Sequence, residues 1–195
     1  MLLGTSGSST NQLTNPASVT LNKNADTLYI ADTDNHRIVA VTLATTVPTV
    51  VAGGGAFPMA QLTSPADVYF DSSTNSLYIA NSGAHTIVRW VIGASSWTLI
   101  AGTPGYSQPT PLSLNNPQGL TFDSAGNMYV SDTGYHRIQF FSAGNTTGKT
   151  IVGTTSTTGT GSSFLNSPRS VVLDSQFNIY VSDTSNYRIQ KFQRI

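Results

Sequence analysis

The sequence predicts an all-β chain of four propeller-type blades, each a four-stranded antiparallel sheet of one repeat. The first observation is a recurring phrase. Leu28-Tyr29-Ile30-Ala31-Asp32-Thr33-Asp34-Asn35-His36-Arg37-Ile38 returns at Met128 to Ile138 and at Ile179 to Ile189, and in altered form at Leu77 to Ile87. Each copy reads as strand, polar turn, strand, with apolar residues alternating at the period of two that a pleated ribbon requires. The second observation is spacing. Pro16, Pro65, Pro117 and Pro168 lie 49, 52 and 51 residues apart, each three residues after a leucine (Leu13, Leu62, Leu114, Leu165). A period near fifty with several strands per period fits blades around an axis rather than a helical solenoid. The third is composition. Good helix formers are scarce and no segment repeats every 3.6 residues, so almost no helix is expected.

Four strands are expected in each period. Strand a follows the proline: Val19–Leu21, Val68–Phe70, Leu120–Phe122 and Val171–Leu173. Strand b is the Leu-Tyr-Ile-Ala segment and its equivalents. Strand c starts at the isoleucine of the phrase, at Ile38, Ile87, Ile138 and Ile189. Strand d is short and ends in glycine, at Val50–Gly53, Leu99–Gly102 and Thr150–Gly153. The last repeat has no strand d of its own, but Met1-Leu2-Leu3-Gly4 matches one, with Gly4 standing 12 residues before Pro16 as Gly53 stands 12 before Pro65. The repeats therefore run over residues 13–61, 62–113, 114–164 and 165–195 plus 1–12, read as one domain over 1–195. The N-terminal strand is expected to close the ring beside Ile189 to Phe192, removing an open edge. The alternative is an open arc, or a fragment of a six-bladed propeller.

Composition narrows function. Charged residues are 9 % of the chain, against about 25 % in ordinary soluble domains. Nine Lys and Arg balance nine aspartates, with no glutamate. Nucleic acid is thereby disfavoured as a partner, because it needs a basic field over its phosphates. There is no cysteine, hence no disulfide or thiolate chemistry. No apolar run reaches the 18 or so residues of a membrane span, so no membrane insertion is expected. The sequon Asn145-Thr146-Thr147 and the Ser/Thr-rich surface tilt the reading toward an extracellular setting.

The Pro-x-x-Val, Tyr-Val-Ser-Asp and Asn-His-Arg-Ile pattern resembles the NHL repeat, which builds β-propellers, most often of six blades. Three copies are close. The second departs, with Asn81 in place of the aspartate and Thr86 in place of the arginine. The resemblance implies several functions. Some such propellers are peptide-amidating lyases whose zinc is held by histidines, and some bind single-stranded RNA. The expectation is instead a non-enzymatic module that offers its loop-rich face to a protein, peptide or glycan. A metal-assisted lyase or hydrolase is the alternative, and RNA binding is disfavoured by charge.

Candidate residues follow from position. Asp32 with Arg37, Asp132 with Arg137 and Asp183 with Arg188 stand five apart across the b–c turn, where carboxylate and guanidinium meet as a structural clamp. His36, His85 and His136 recur at the turn of successive blades and are the metal candidates. Their turns should stand about 10 Å or more apart, so neither metal nor cofactor is expected. The d–a and b–c connections differ between repeats and share one face. Phe57, Tyr106, Tyr135 and Tyr187 stand there, aromatics suited to a peptide or sugar. The residues after the prolines, Ala17, Ala66, Gln118 and Arg169, are expected at the mouth of the axis. Arg169 and Gln118 complete the candidate ligand face, while no catalytic residue is assigned. The chain is expected to be monomeric if the ring closes.

Overall fold

The computed structural model describes residue 2, residues 4–54 and residues 60–193. Four antiparallel sheets follow one another in sequence order. The first holds β1 (Pro16–Asn22), β2 (Thr27–Asp32), β3 (Arg37–Thr42) and β4 (Pro48–Gly53). The second holds β5 (Pro65–Asp71), β6 (Ser76–Asn81), β7 (Thr86–Val91) and β8 (Thr98–Gly102), and the third β9 (Pro117–Phe122), β10 (Met128–Asp132), β11 (Arg137–Phe141) and β12 (Lys149–Gly153). The fourth holds β13 (Pro168–Leu173), β14 (Ile179–Asp183) and β15 (Arg188–Phe192). These are the blades of a β-propeller. The innermost strands begin at the proline itself, and the third strands begin at the Arg or Thr before the isoleucine. Among the described residues there is no α-helix, only three-residue 3-10 turns such as Thr33–Asn35 and Thr133–Tyr135 between the second and third strands.

Each blade has two apolar faces, and the core lies between blades. Tyr29, Ala31, Ile38 and Ala52 form the leading face of the first blade and meet Leu62, Val68, Leu77 and Ile79 on the trailing face of the second. Ala80, Ile87 and Ala101 meet Leu114, Leu120, Met128 and Val130 in the same way. Tyr129, Ile138 and Val152 then meet Leu165, Val171, Ile179 and Val181. The alternation seen in sequence is thus two buried faces per strand, with the polar strand residues gathered mainly at the strand ends, as at Asp32, Arg37, Asp132, Arg137 and Asp183.

Glycine ends β4, β8 and β12 for a steric reason. A β-carbon on Gly53, Gly102 or Gly153, all at positive φ, would lie 2.3–2.4 Å from the carbonyl oxygen of His36, His85 or His136.

The expected closing strand requires a correction. Met1 and Leu3 lie outside the described residues. Leu2 packs with Leu13 on the trailing face of the first blade, against Ile30, Val39 and Val41. It does not lie beside Ile189 to Phe192, and the last sheet has three strands among the described residues. Innermost strands β1 and β5, β5 and β9, and β9 and β13 run side by side, whereas β1 and β13 do not. The arrangement is the open arc. Leu2 sits where Val51, Ile100 and Ile151 of the fourth strands sit on the blades that follow them. The short strand-like stretch therefore keeps its place against the blade after it.

Candidate functional site: the axial pocket

Each innermost strand opens with a bulge. Pro16 pairs with Asp32 and Ser18 with Ala31, leaving Ala17 out of register. The same slip leaves out Ala66, Gln118, and the pair Arg169 and Ser170. A bulge re-aims the extra residue, here away from the ladder and toward the axis. As a result Ala17, Ser18, Ala66, Asp67, Gln118, Gly119, Arg169 and Ser170 line one pocket of about 230 Å³. All four blades contribute to it. At Gly119 a β-carbon would stand 2.5 Å from the Arg169 carbonyl oxygen, so glycine lets β13 come close beside β9.

Asp67 is the acid of this pocket. One carboxylate oxygen accepts bonds from the Ser18 hydroxyl (2.5 Å) and the Val68 N–H (2.9 Å), the other from the Leu120 N–H (2.8 Å). It thereby ties three innermost strands together. Burial pushes its carboxyl above the ordinary value, against these three bonds. Gln118 donates to the Ser82 hydroxyl (2.7 Å) and to Asn116 Oδ1 (3.0 Å), which fixes its amide. Arg169 is exposed, and its guanidinium makes no hydrogen bond or ion pair among the described residues. Asp67, Ser18 and Ser170 were missed from sequence. The signal was present: of the second residues after the prolines, Ser18, Asp67, Gly119 and Ser170, only one is charged.

The tyrosines stand elsewhere. Tyr106 is 54 % and Tyr187 96 % exposed, and neither lines the pocket. Tyr135 is 8 % exposed, its ring lying 5.2 Å below the Arg137 guanidinium, so it offers no free face to a ligand. Phe57 lies outside the described residues.

The three Asp/Arg pairs each bond at 2.7 Å, from Arg Nε to a carboxylate oxygen. They also reach further. Arg37 donates to the carbonyls of Ser8, Ser9 and Gln12, Arg137 to those of Thr110 and Ser113, and Arg188 to those of Thr160, Gly161 and Phe164. The planar fork thus fastens the d–a loop ahead of its own blade. The second carboxylate oxygen accepts the N–H of Thr14, Asn115 or Asn166 at 2.6–2.7 Å. Burial lifts the Asp132 carboxyl to about 6, against Arg137 and the Asn115 N–H. At Asp183, whose partner Arg188 is the more exposed of the arginines in these pairs, burial is outweighed by the bonds from Asn186, Asn166 and Arg188, and its carboxyl lies below the ordinary value. In the second blade Asn81 still accepts the Thr63 N–H, but the buried Thr86 hydroxyl has no partner among the described residues.

The histidines do not converge. His36, His85 and His136 each follow a 3-10 turn in the left-handed region, at φ of 55°, 61° and 55°. Each Nδ1 accepts a backbone N–H from the next blade, of Ser64, Asn116 and Ser167 respectively, at 2.9–3.1 Å. Among the described residues no three His or Asp side chains are grouped to hold a metal ion. Nor is any helix long and apolar enough to cross a membrane.

Comparison with known proteins agrees with this architecture. The NHL repeat family model matches residues 13–40, 114–141 and 165–192, the first, third and fourth blades. No curated protein sequence matches the chain. Among solved structures, an auxiliary nutrient binding protein from Bacteroides thetaiotaomicron superposes with a TM-score of 0.69 at 17 % identity, covering 89 % of this chain and 46 % of that one. A streptogramin B lyase gives 0.62 at 16 %, covering 92 % and 51 %. A virginiamycin B lyase from Staphylococcus aureus, with quinupristin, gives 0.65 at 17 %, covering 95 % and 54 %. The chain spans about half the length of these structures, and at such identity the likeness is one of fold. The matched repeats, the blade order and the shared fold together place the chain in the NHL-repeat β-propeller family.

Proposed function

We propose that the chain is a non-enzymatic binding module that holds a peptide, protein or glycan ligand at the axial pocket. One observation carries the reading. Four bulges bring one residue or more from every blade to a single concavity, and the cation there, Arg169, has no partner among the described residues. A guanidinium beside a partly enclosed axis favours an oxygen acceptor, a carboxylate or carbonyl of the ligand. Asp67 and Gln118 are already engaged, so they shape the wall and leave Arg169 as the anchor. Binding is favoured over a metal-assisted lyase or hydrolase because each histidine Nδ1 is taken up by a backbone N–H of the neighbouring blade. One fold neighbour is itself a nutrient binding protein.

A peptide and glycan array probed with the parent and with Arg169→Ala tests this. The parent is expected to retain ligands bearing carboxylate or carbonyl groups. The variant should bind them more weakly by about 1–3 kcal/mol, the range of a charge-assisted hydrogen bond, with an unchanged melting temperature. Undiminished binding by the variant would remove Arg169 from the site, and a lower melting temperature with binding retained would make it a structural clamp.

A further inference from the structure

A second cavity, of about 330 Å³, opens between the second and third blades and shares no residue with the axial pocket. Both walls come from inner blades, so neither end of the chain contributes to it. One wall is Tyr78, Arg89 and Leu99, the other Phe122, Met128 and Phe141, and the turn at residues 142–146 forms the rim. The Tyr78 and Phe122 rings are half-buried and lie 4.7 Å apart, tilted by 59°. Arg89 departs from the repeat. It pairs across its hairpin with Tyr78, where the other blades set Ala40, Phe140 and Lys191 against Tyr29, Tyr129 and Tyr180. With Ala40 and Phe140 at the other two interfaces between blades, packing one blade on the next needs no cation there. Arg89 Nε donates to the buried Ser76 hydroxyl (3.0 Å), which donates onward to the Thr74 carbonyl (3.0 Å). That bond holds the guanidinium in place, while its two terminal nitrogens have no hydrogen-bond or ion-pair partner among the described residues. Burial lifts the Tyr78 hydroxyl above its ordinary value, against the pull of Arg89, so it stays protonated and able to donate.

We propose that this groove is a second binding site, for a small aromatic carboxylate whose ring lies between Tyr78, Phe122 and Met128 and whose carboxylate takes the terminal nitrogens of Arg89. A planar guanidinium matches a carboxylate with two parallel bonds, and at a half-buried, apolar wall that pair competes with less water. Aromatic and thioether surfaces favour a ring through offset stacking and sulfur contacts. The volume is at the lower end of small-molecule sites, which run from about 300 to 1,000 Å³, so it suits one or two fused rings. The two halves of the ligand are each required. An inorganic anion would leave the aromatic wall bare, and a neutral arene would leave the guanidinium unpaired.

Isothermal titration of the whole chain tests the proposal with three probes: 2-naphthoate, its neutral amide 2-naphthamide, and acetate, which has the charge without the ring. Naphthoate is expected to bind with a Kd of about 1 mM or tighter, as its size allows. The amide and acetate should each bind about ten-fold more weakly or worse. Arg89→Gln should weaken naphthoate by about ten-fold or more at an unchanged melting temperature, and Arg89→Lys, which keeps the charge but not the fork, should fall between. Lys191→Ala, at the same repeat position of the last blade, should bind as the parent does. No saturable binding of naphthoate at about 10 mM, equal affinity for naphthoate and its amide, or undiminished binding by Arg89→Gln would each overturn the proposal. The comparison of naphthoate with its amide uses the unsubstituted chain, so it decides the matter even where Arg89→Gln melts lower. Loss of naphthoate binding in Arg169→Ala would assign the probe to the axial pocket and would also overturn it. The two sites are thereby tested separately.

Discussion

Ile138 and Ile189 occupy one position of the repeat and differ only in what lies over them. Ile138 is enclosed by β12 and by the trailing face of the fourth blade, while most of the Ile189 side chain meets solvent. Truncation removes packed methyl groups in the first case and little in the second. Ile138→Ala is therefore expected to lower stability by about 2–5 kcal/mol, and Ile189→Ala by less than about 1 kcal/mol, in urea denaturation of dilute protein. Equal losses would mean that Ile189 is covered in the isolated chain. The same comparison marks where the sequence was readable. The recurring phrase placed both isoleucines at the start of the third strand of their blades. Whether a neighbour covers them depends on the curvature of the whole blade array, which no single repeat encodes.

At the scale of an element, the b–c turn of the third blade links it to both neighbours. Its Asp/Arg pair fastens the loop ahead of the blade, and its histidine receives an N–H from the blade behind. The first link was partly legible, because five-residue spacing across a hairpin places a carboxylate opposite a guanidinium, as in the Asp132–Arg137 register pair. The further reach to the loop carbonyls was not legible, since carbonyls carry no sequence signature. The histidine link gives a pH dependence. Burial lowers the His136 pKa below 6.5, and a protonated Nδ1 could no longer accept the Ser167 N–H. The unfolded chain then takes up the proton first. The contribution of His136 is complete above about pH 6.5 and is lost as pH falls through the lower folded value. Asp132, raised to about 6, works in the opposite direction, its folded form binding the proton more tightly. Comparing the parent with His136→Asn, which keeps an acceptor and tolerates the left-handed backbone, separates the two. The variant should lose less stability than the parent between pH 7.5 and 5 in thermal melts. Parallel profiles would show that His136 does not titrate within this contact.

At the scale of the molecule, the sequence disclosed the number of blades, their strand order and the positions that reach the axis. It did so because each depends on a local period. The pocket's acid escaped notice because Asp67 departs from the repeat, and a departure reads as noise until its neighbours are known. Closure escaped for the reason already met at Ile189. The functional reading rests on the place where the four blades meet. The most direct measurement is an amide chemical-shift map of the isotope-labelled chain, titrated with a ligand identified on the array. The account predicts that the perturbed amides centre on Ala17, Asp67, Gln118 and Arg169. Perturbations confined to the groove between the second and third blades, around Tyr78, Phe122 and Met128, with those axial amides unmoved, would contradict it.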